Sequence, residues 1–146
     1  MKTAITGHTQ LICLLGSPVA HSISPAMHNA AFDKLGLDYA YLAFDVNAAG
    51  HDRTAGRFEQ GDPVGSVLHA LKLFGARGCN LTMPLKNAVV PYMDELSDAA
   101  RLSGSVNTIV IEDGRFIGHT TDGIGYVDAL KKESGFDIAG KTVTLL

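Results

Sequence analysis

The sequence predicts an α/β fold: a three-layer sandwich with a mostly parallel, twisted sheet and one antiparallel strand. Three observations predict it. Strand-like and helix-like stretches alternate along the chain. The first strand candidate, LICLLG (11–16), is a continuous apolar run ending in glycine, as expected of a strand buried on both faces. A single hairpin signature, Glu112-Asp113-Gly114, sits between two strand-like runs and supplies the antiparallel exception.

The elements follow in order. Residues 25–35 predict a helix, with Met27, Ala30, Ala31 and Leu35 on one side and Gly36 as its stop. YAYLAFDV (39–46) reads as a strand. The polar, glycine-rich stretch 47–61 reads as a loop. Asp62-Pro63 opens a second helix with an N-cap and a proline at its first position. Val64, Val67, Leu68, Leu71 and Phe74 form its apolar stripe, and Gly75 ends it. GCNLTMP (78–84) is a strand that stops at proline, and a short helix follows around 86–93, ended or kinked by Pro91. Residues 96–102 are helical in pattern, 105–120 form the hairpin, 123–133 form another helix, and KTVTLL (141–146) begins a strand.

Composition narrows the function classes. At 146 residues, 46% hydrophobic and 18% charged, the chain suits one soluble globular core. A net charge of -3 with no basic run argues against a nucleic-acid partner. The apolar runs fall far short of the ~20 residues of a membrane span, and the N-terminal run is too short for a signal-peptide core. Cys13 and Cys79 fall in predicted strands and read as buried reduced thiols, which together with these features favours the cytoplasm.

In sheets of this kind ligands bind beyond the carboxyl ends of the parallel strands. After the first strand comes GSPVAHSISP. Ser24 precedes Pro25 and reads as a helix N-cap, which leaves Ser22 without a local explanation. Two hydroxyls beside the free N–H groups of a helix start also suit a carboxylate or phosphate, so both readings stand. After the third strand, Asn80 and Thr82 share one strand face, and Lys86 opens a short helix. A solvated surface lysine is the ordinary reading of Lys86. A cation at a helix N-terminus is locally unfavourable, however, and points to a reason such as an anionic partner or a lowered pKa. Asp122 reads as a cap for the helix at 123, and Asn107 as a satisfied amide within a strand. All of these residues stand at strand ends and could meet in one cleft. One anion site beside several hydroxyl-binding groups suits a polyhydroxylated carboxylic acid, and a lysine–aspartate pair could move a hydroxyl proton. His21 and His28 are seven apart with no third ligand at metal spacing, which argues against a metal site.

These residues resemble the shikimate and quinate dehydrogenase family. GSPVAHSISPAMHN is similar to its first signature, GCNLTMPLK to its second, and GSVNTIV and GHTTDGIG to its third and fourth. The resemblance covers nearly the whole chain in the family's order. It implies the N-terminal domain of an aminoacid-dehydrogenase-like fold, with residues 1–122 as the substrate-binding catalytic domain. Residues 123–146 would be a linker helix and the first strand of a Rossmann domain for NADP or NAD. It implies that Ser22 and Ser24 hold the substrate carboxylate. Thr82, Lys86, Asn107 and Asp122 would contact ring hydroxyls, with Lys86 and Asp122 as the catalytic pair and Asn80 in support.

The implied reaction is the reversible NAD(P)-dependent reduction of 3-dehydroshikimate to shikimate, a step of aromatic amino acid biosynthesis. Quinate is the alternative substrate, and ESGFDIAGKT with YAYLAFDV leans toward the dual-substrate branch. The phosphate loop would follow residue 146, so the chain reads as a truncated piece that does not turn over by itself. Two departures stand out. Thr120 replaces an asparagine usual in the fourth motif, and the 47–61 segment looks like an exposed insertion. Two other classes compete: a folate-linked dehydrogenase of similar design, against which the paired serines count, and a non-catalytic sugar-acid sensor, against which the intact Lys86 and Asp122 count.

Overall fold

The computed structural model describes residues 4–46 and 62–144. The expected insertion at 47–61 lies outside the described residues. The described residues form six strands: β1 (Gln10–Gly16), β2 (Tyr39–Asp45), β3 (Gly78–Leu81), β4 (Glu95–Leu96), β5 (Thr108–Glu112) and β6 (Arg115–His119). Five α-helices accompany them: α1 (Ser24–Leu35), α2 (Pro63–Leu73), α3 (Leu85–Ala88), α4 (Asp98–Ser103) and α5 (Asp122–Ser134). The sheet order is β2-β1-β3-β5-β6-β4. β5 alone runs against its neighbours β3 and β6, and the other pairings are parallel, as expected. The hairpin turns on Asp113 and Gly114, both at positive φ, with Glu112 opposite Arg115. This is the geometry an Asp-Gly turn favours.

β1 shows why the sheet is covered on both faces. Its side chains alternate between two apolar clusters. Leu14, with the half-buried Ile12, packs with Val19, Tyr41 and Phe32 on the α1 side. Cys13 and Leu15 pack with Leu68, Leu71, Cys79, Leu81, Leu85 and Ile109 on the α2 side. Cys13 and Cys79 are cross-strand partners, both buried and both free. The neighbouring Cys13 sulfur and burial push the Cys79 thiol well above its ordinary range. No helix among the described residues is long and apolar enough to cross a membrane.

Several local expectations are corrected. In α1 the apolar letters do not mark the buried face: Met27 and Leu35 are 56% and 69% exposed, and Ala30 and Ala31 are exposed too. The helix turns His28, Asn29 and Phe32 toward the sheet instead. His28 stacks on Tyr41 at 4.2 Å between ring centroids. The Asn29 amide donates to the Tyr41 carbonyl and accepts from the Tyr41 N–H, each at 2.9 Å. The side chain thus pairs with an edge strand as a neighbouring peptide would, and this outweighs the burial of two apolar residues.

In α2 the Asp62 cap forms as expected, accepting the Gly65 N–H at 2.9 Å, but Phe74 is exposed. The stretch read as one helix around 86–93 is a single α-turn followed by a 3-10 turn at Val90–Tyr92. Glu95 and Leu96 pair with Ile117 and Gly118, making an edge strand that two residues cannot announce by periodicity. Residues 141–144 form no strand, because no ladder partner lies beside them among the described residues.

Candidate functional site

One edge of the sheet gathers the chemistry. The carboxyl ends of β1, β3 and β6 and the start of antiparallel β5 all open there. A cleft of about 420 Å³ at that edge is lined by His21, Ser22, Ser24, Asn80, Thr82, Lys86, Asn107 and Asp122, with Leu14, Pro18, Val19, Ile23 and Leu81 as its apolar surface. Every site residue read from the sequence therefore meets in one place. Residues 22 and 24 lie 100 and 98 positions before residue 122 in a chain of 146, and the sheet order brings them together.

The two serines have different local jobs. Ser22 Oγ accepts the Ser24 backbone N–H at 3.2 Å, and Ser24 is the first residue of α1 with no side-chain cap bond. The capping role expected of Ser24 is not filled: Ile23 stands at the N-cap with no side-chain cap bond, and Ser22 closes a local turn onto the Ser24 N–H instead. Neither serine hydroxyl donates a hydrogen bond to another described residue. The turn that presents them is closed by the Ser22 N–H donating to the Val19 carbonyl.

Lys86 Nζ donates to Asp122 Oδ2 at 2.7 Å across 36 residues of sequence. The helix that carries Lys86 is one turn long, so no macrodipole opposes the charge, and its anionic partner is Asp122. Asp122 does not cap α5 either. Its other oxygen, Oδ1, accepts from Asn107 Nδ2 at 2.9 Å. The Lys86 hydrogen bond, with help from Asn107, holds the Asp122 carboxyl below its ordinary range. Asn107 also donates to Thr121 Oγ1 and receives the Thr121 N–H on Oδ1. Thr82 is fixed by its backbone: its N–H donates to Leu15 and its carbonyl receives Leu85 N–H. Thr120 faces a second hollow beyond Asp122, lined also by Ser97, His119 and Ile124, and does not line the first cleft.

Sequence reading missed three contributors. Tyr41 and Thr108 lie in strands and join the site through Asn80 and Asn107, while Thr121 braces the Asn107 amide. Tyr41 carried one usable signal, since a buried tyrosine hydroxyl needs a partner. Among the described residues no group of three or more His, Cys, Asp or Glu side chains could hold a metal ion.

The family described as the shikimate dehydrogenase substrate binding domain matches residues 14–109. The chain belongs to that family. The shikimate dehydrogenase (NADP(+)) of Streptococcus uberis is 48% identical over 147 residues, covering 99% of this chain and 45% of that relative. The chain thus spans about half the length of the curated relatives it matches. Among solved structures, a shikimate dehydrogenase in complex with NADP+ superposes with a TM-score of 0.79 at 43% identity, covering 92% of this chain and 42% of that one. The shikimate 5-dehydrogenase of Listeria monocytogenes, in complex with shikimate and NAD, gives 0.77 at 46% identity, covering 94% and 43%. The shikimate dehydrogenase substrate binding fold, with its mixed six-stranded sheet, is therefore the architecture of this chain.

Proposed function

We propose that this chain is the substrate-holding and proton-transferring part of a shikimate dehydrogenase, with Ser22, Ser24, Thr82, Lys86, Asn107 and Asp122 as its working residues. The observation that carries the reading is the 2.7 Å Lys86–Asp122 contact on the wall of a cleft that also contains both serines. The serine hydroxyls and the start of α1 suit the acid's carboxylate. Thr82 and Asn107 suit ring hydroxyls, and the Lys86–Asp122 pair takes the proton of the hydroxyl being oxidised and returns it in reduction.

The relatives' names and complexes point to NADP or NAD as the redox partner. The described residues lining the cleft do not fit a dinucleotide, since no glycine-rich loop offers a run of backbone N–H groups to a pyrophosphate there. What these residues do is bind, orient and carry a proton. We place the boundary of the substrate unit at residue 122. The support is that α5 buries no residue and leaves Ile124, Tyr126, Phe136 and Val143 exposed around it. The buried free thiols support a cytoplasmic setting.

An amide NMR titration of this chain with shikimate, then quinate, tests the reading. Shifts centred on Ser22, Ser24, Lys86 and Asp122 are expected with shikimate. Stronger shifts with quinate would move the substrate to the quinate branch. No response to either acid in a folded spectrum would overturn the proposed pocket.

A further inference from the structure

A line of hydrogen bonds runs from under the sheet to the carboxylate at the cleft. The hydroxyl of Tyr41, a residue only 1% exposed, donates to Asn80 Oδ1 at 2.8 Å. Asn80 Nδ2 donates to Thr108 Oγ1 at 3.0 Å, and Thr108 Oγ1 donates to Asn107 Oδ1 at 3.0 Å. Asn107 Nδ2 donates to Asp122 Oδ1 at 2.9 Å.

The direction of this line is dictated by chemistry at its outer end. Asn107 faces an ionised carboxylate on one side and the Thr121 N–H on the other. A flipped amide would set oxygen against carboxylate and NH₂ against N–H, so only one orientation is satisfied. Asn107 Oδ1 then requires Thr108 to donate. Thr108 spends its single proton there and must accept from Asn80 Nδ2. Asn80 Oδ1 is thereby left facing Tyr41, which must donate. Every donor points toward Asp122, and donors aligned in series strengthen one another.

We propose that Tyr41, Asn80 and Thr108 form a one-way relay that locks the Asn107 amide and thereby holds the Asp122 carboxylate beside Lys86. Tyr41 and Thr108 are positioning residues of this site. Their value to a reaction rests on the function proposed above, whereas the geometry of the relay does not. Besides Lys86, the titratable groups that line the same two hollows as Asp122 are His21 in the first and His119 in the second. Neither changes in the variants below.

The test follows the Asp122 carboxyl carbon by NMR through a pH titration of this chain, with shikimate affinity measured alongside. Thr108→Val removes the hydroxyl at constant shape. It is expected to raise the Asp122 midpoint by about half a pH unit and to weaken shikimate about fivefold. Thr108→Ser restores the hydroxyl and should restore both. Tyr41→Phe, which removes only the far end, should shift the midpoint in the same direction by less, and it decides the matter if Thr108→Val does not fold. An unchanged Asp122 midpoint in the folded variants would overturn the relay and leave these residues merely structural, as would a serine variant that behaves like valine. If the wild type fails to bind shikimate, the proposed function falls, while the midpoints still decide the relay.

Discussion

Ser22 and Ser24 are not equivalent: the Ser22 hydroxyl oxygen accepts the Ser24 backbone N–H at 3.2 Å, and Ser24 Oγ caps nothing in α1. Ser22 therefore shapes the turn as well as facing the cleft. Ser22→Ala removes that one hydrogen bond and is expected to cost about 1 kcal/mol of stability and to weaken shikimate. Ser24→Ala should weaken shikimate with little change in stability. Urea unfolding and ligand titration of the two variants separate these effects, and equal stability losses would contradict the assignment.

Lys86 is expected to matter for turnover far more than for folding. Its pair with Asp122 is partly solvated, with side chains 26% and 52% exposed, and such pairs contribute little to stability. In the complete protein, Lys86→Ala should lower kcat by about 10²- to 10⁴-fold while the unfolding midpoint stays near that of the wild type. Near-normal kcat would remove Lys86 from the proton path.

Asp122 makes stability depend on acid pH in a definite direction. Its folded-state value is depressed below the ordinary 3.8, chiefly by the Lys86 hydrogen bond. A depressed carboxyl contributes its stabilisation fully above the unfolded value, and loses it as pH falls through the folded one. Asp122→Asn should therefore flatten the fall in Tm below about pH 4 and leave its shape at neutral pH alone. A wild-type acid slope that survives the substitution unchanged would assign the effect elsewhere.

Asn29 holds α1 to the sheet edge through the Tyr41 backbone and also donates to the Pro25 carbonyl at 2.8 Å. Asn29→Ala is expected to destabilise the fold by about 2 kcal/mol. Asn29→Asp should be worse, because a carboxylate accepts from the Tyr41 N–H but cannot donate to its carbonyl. Thermal unfolding of the two variants gives the order, and an aspartate variant as stable as wild type would show that the clamp is dispensable.

Gly78 stands where β3 meets β5, and a Cβ there would fall on the Ile109 backbone carbonyl oxygen. The obstacle is a strand partner rather than a flexible side chain. Gly78→Ala should cost about 2–3 kcal/mol, whereas Gly7→Ala, which meets nothing within 4 Å, should be neutral.

The alternation of elements, the buried character of β1 and the Asp-Gly turn carried enough local information to predict a mostly parallel sheet with one reversed strand. Each candidate site residue is ordinary for a surface loop by itself; what singled the set out was its recurrence at successive strand ends and the motif order, and the structure brings the set to one cleft. Errors gathered where a side chain's role depends on something distant. Met27 and Leu35 look like a buried stripe by letter, and the Asn29 bond to Tyr41 turned that stripe outward. Glu95 and Leu96 became a strand only because β6 was available to pair with them.

By itself the sequence determined the architecture, the family and the set of polar groups available for chemistry, since periodicity, turn residues and motif order are local properties of the chain. Tertiary structure alone decided which of those groups meet: that Lys86 meets Asp122, and that Tyr41 and Thr108 stand behind Asn107. The Lys86–Asp122 bond spans 36 residues and the Tyr41–Asn80 bond 39, and both are created when the sheet order brings separate strands together. A hydrogen bond needs its partner within about 3 Å, and no local pattern encodes that distance.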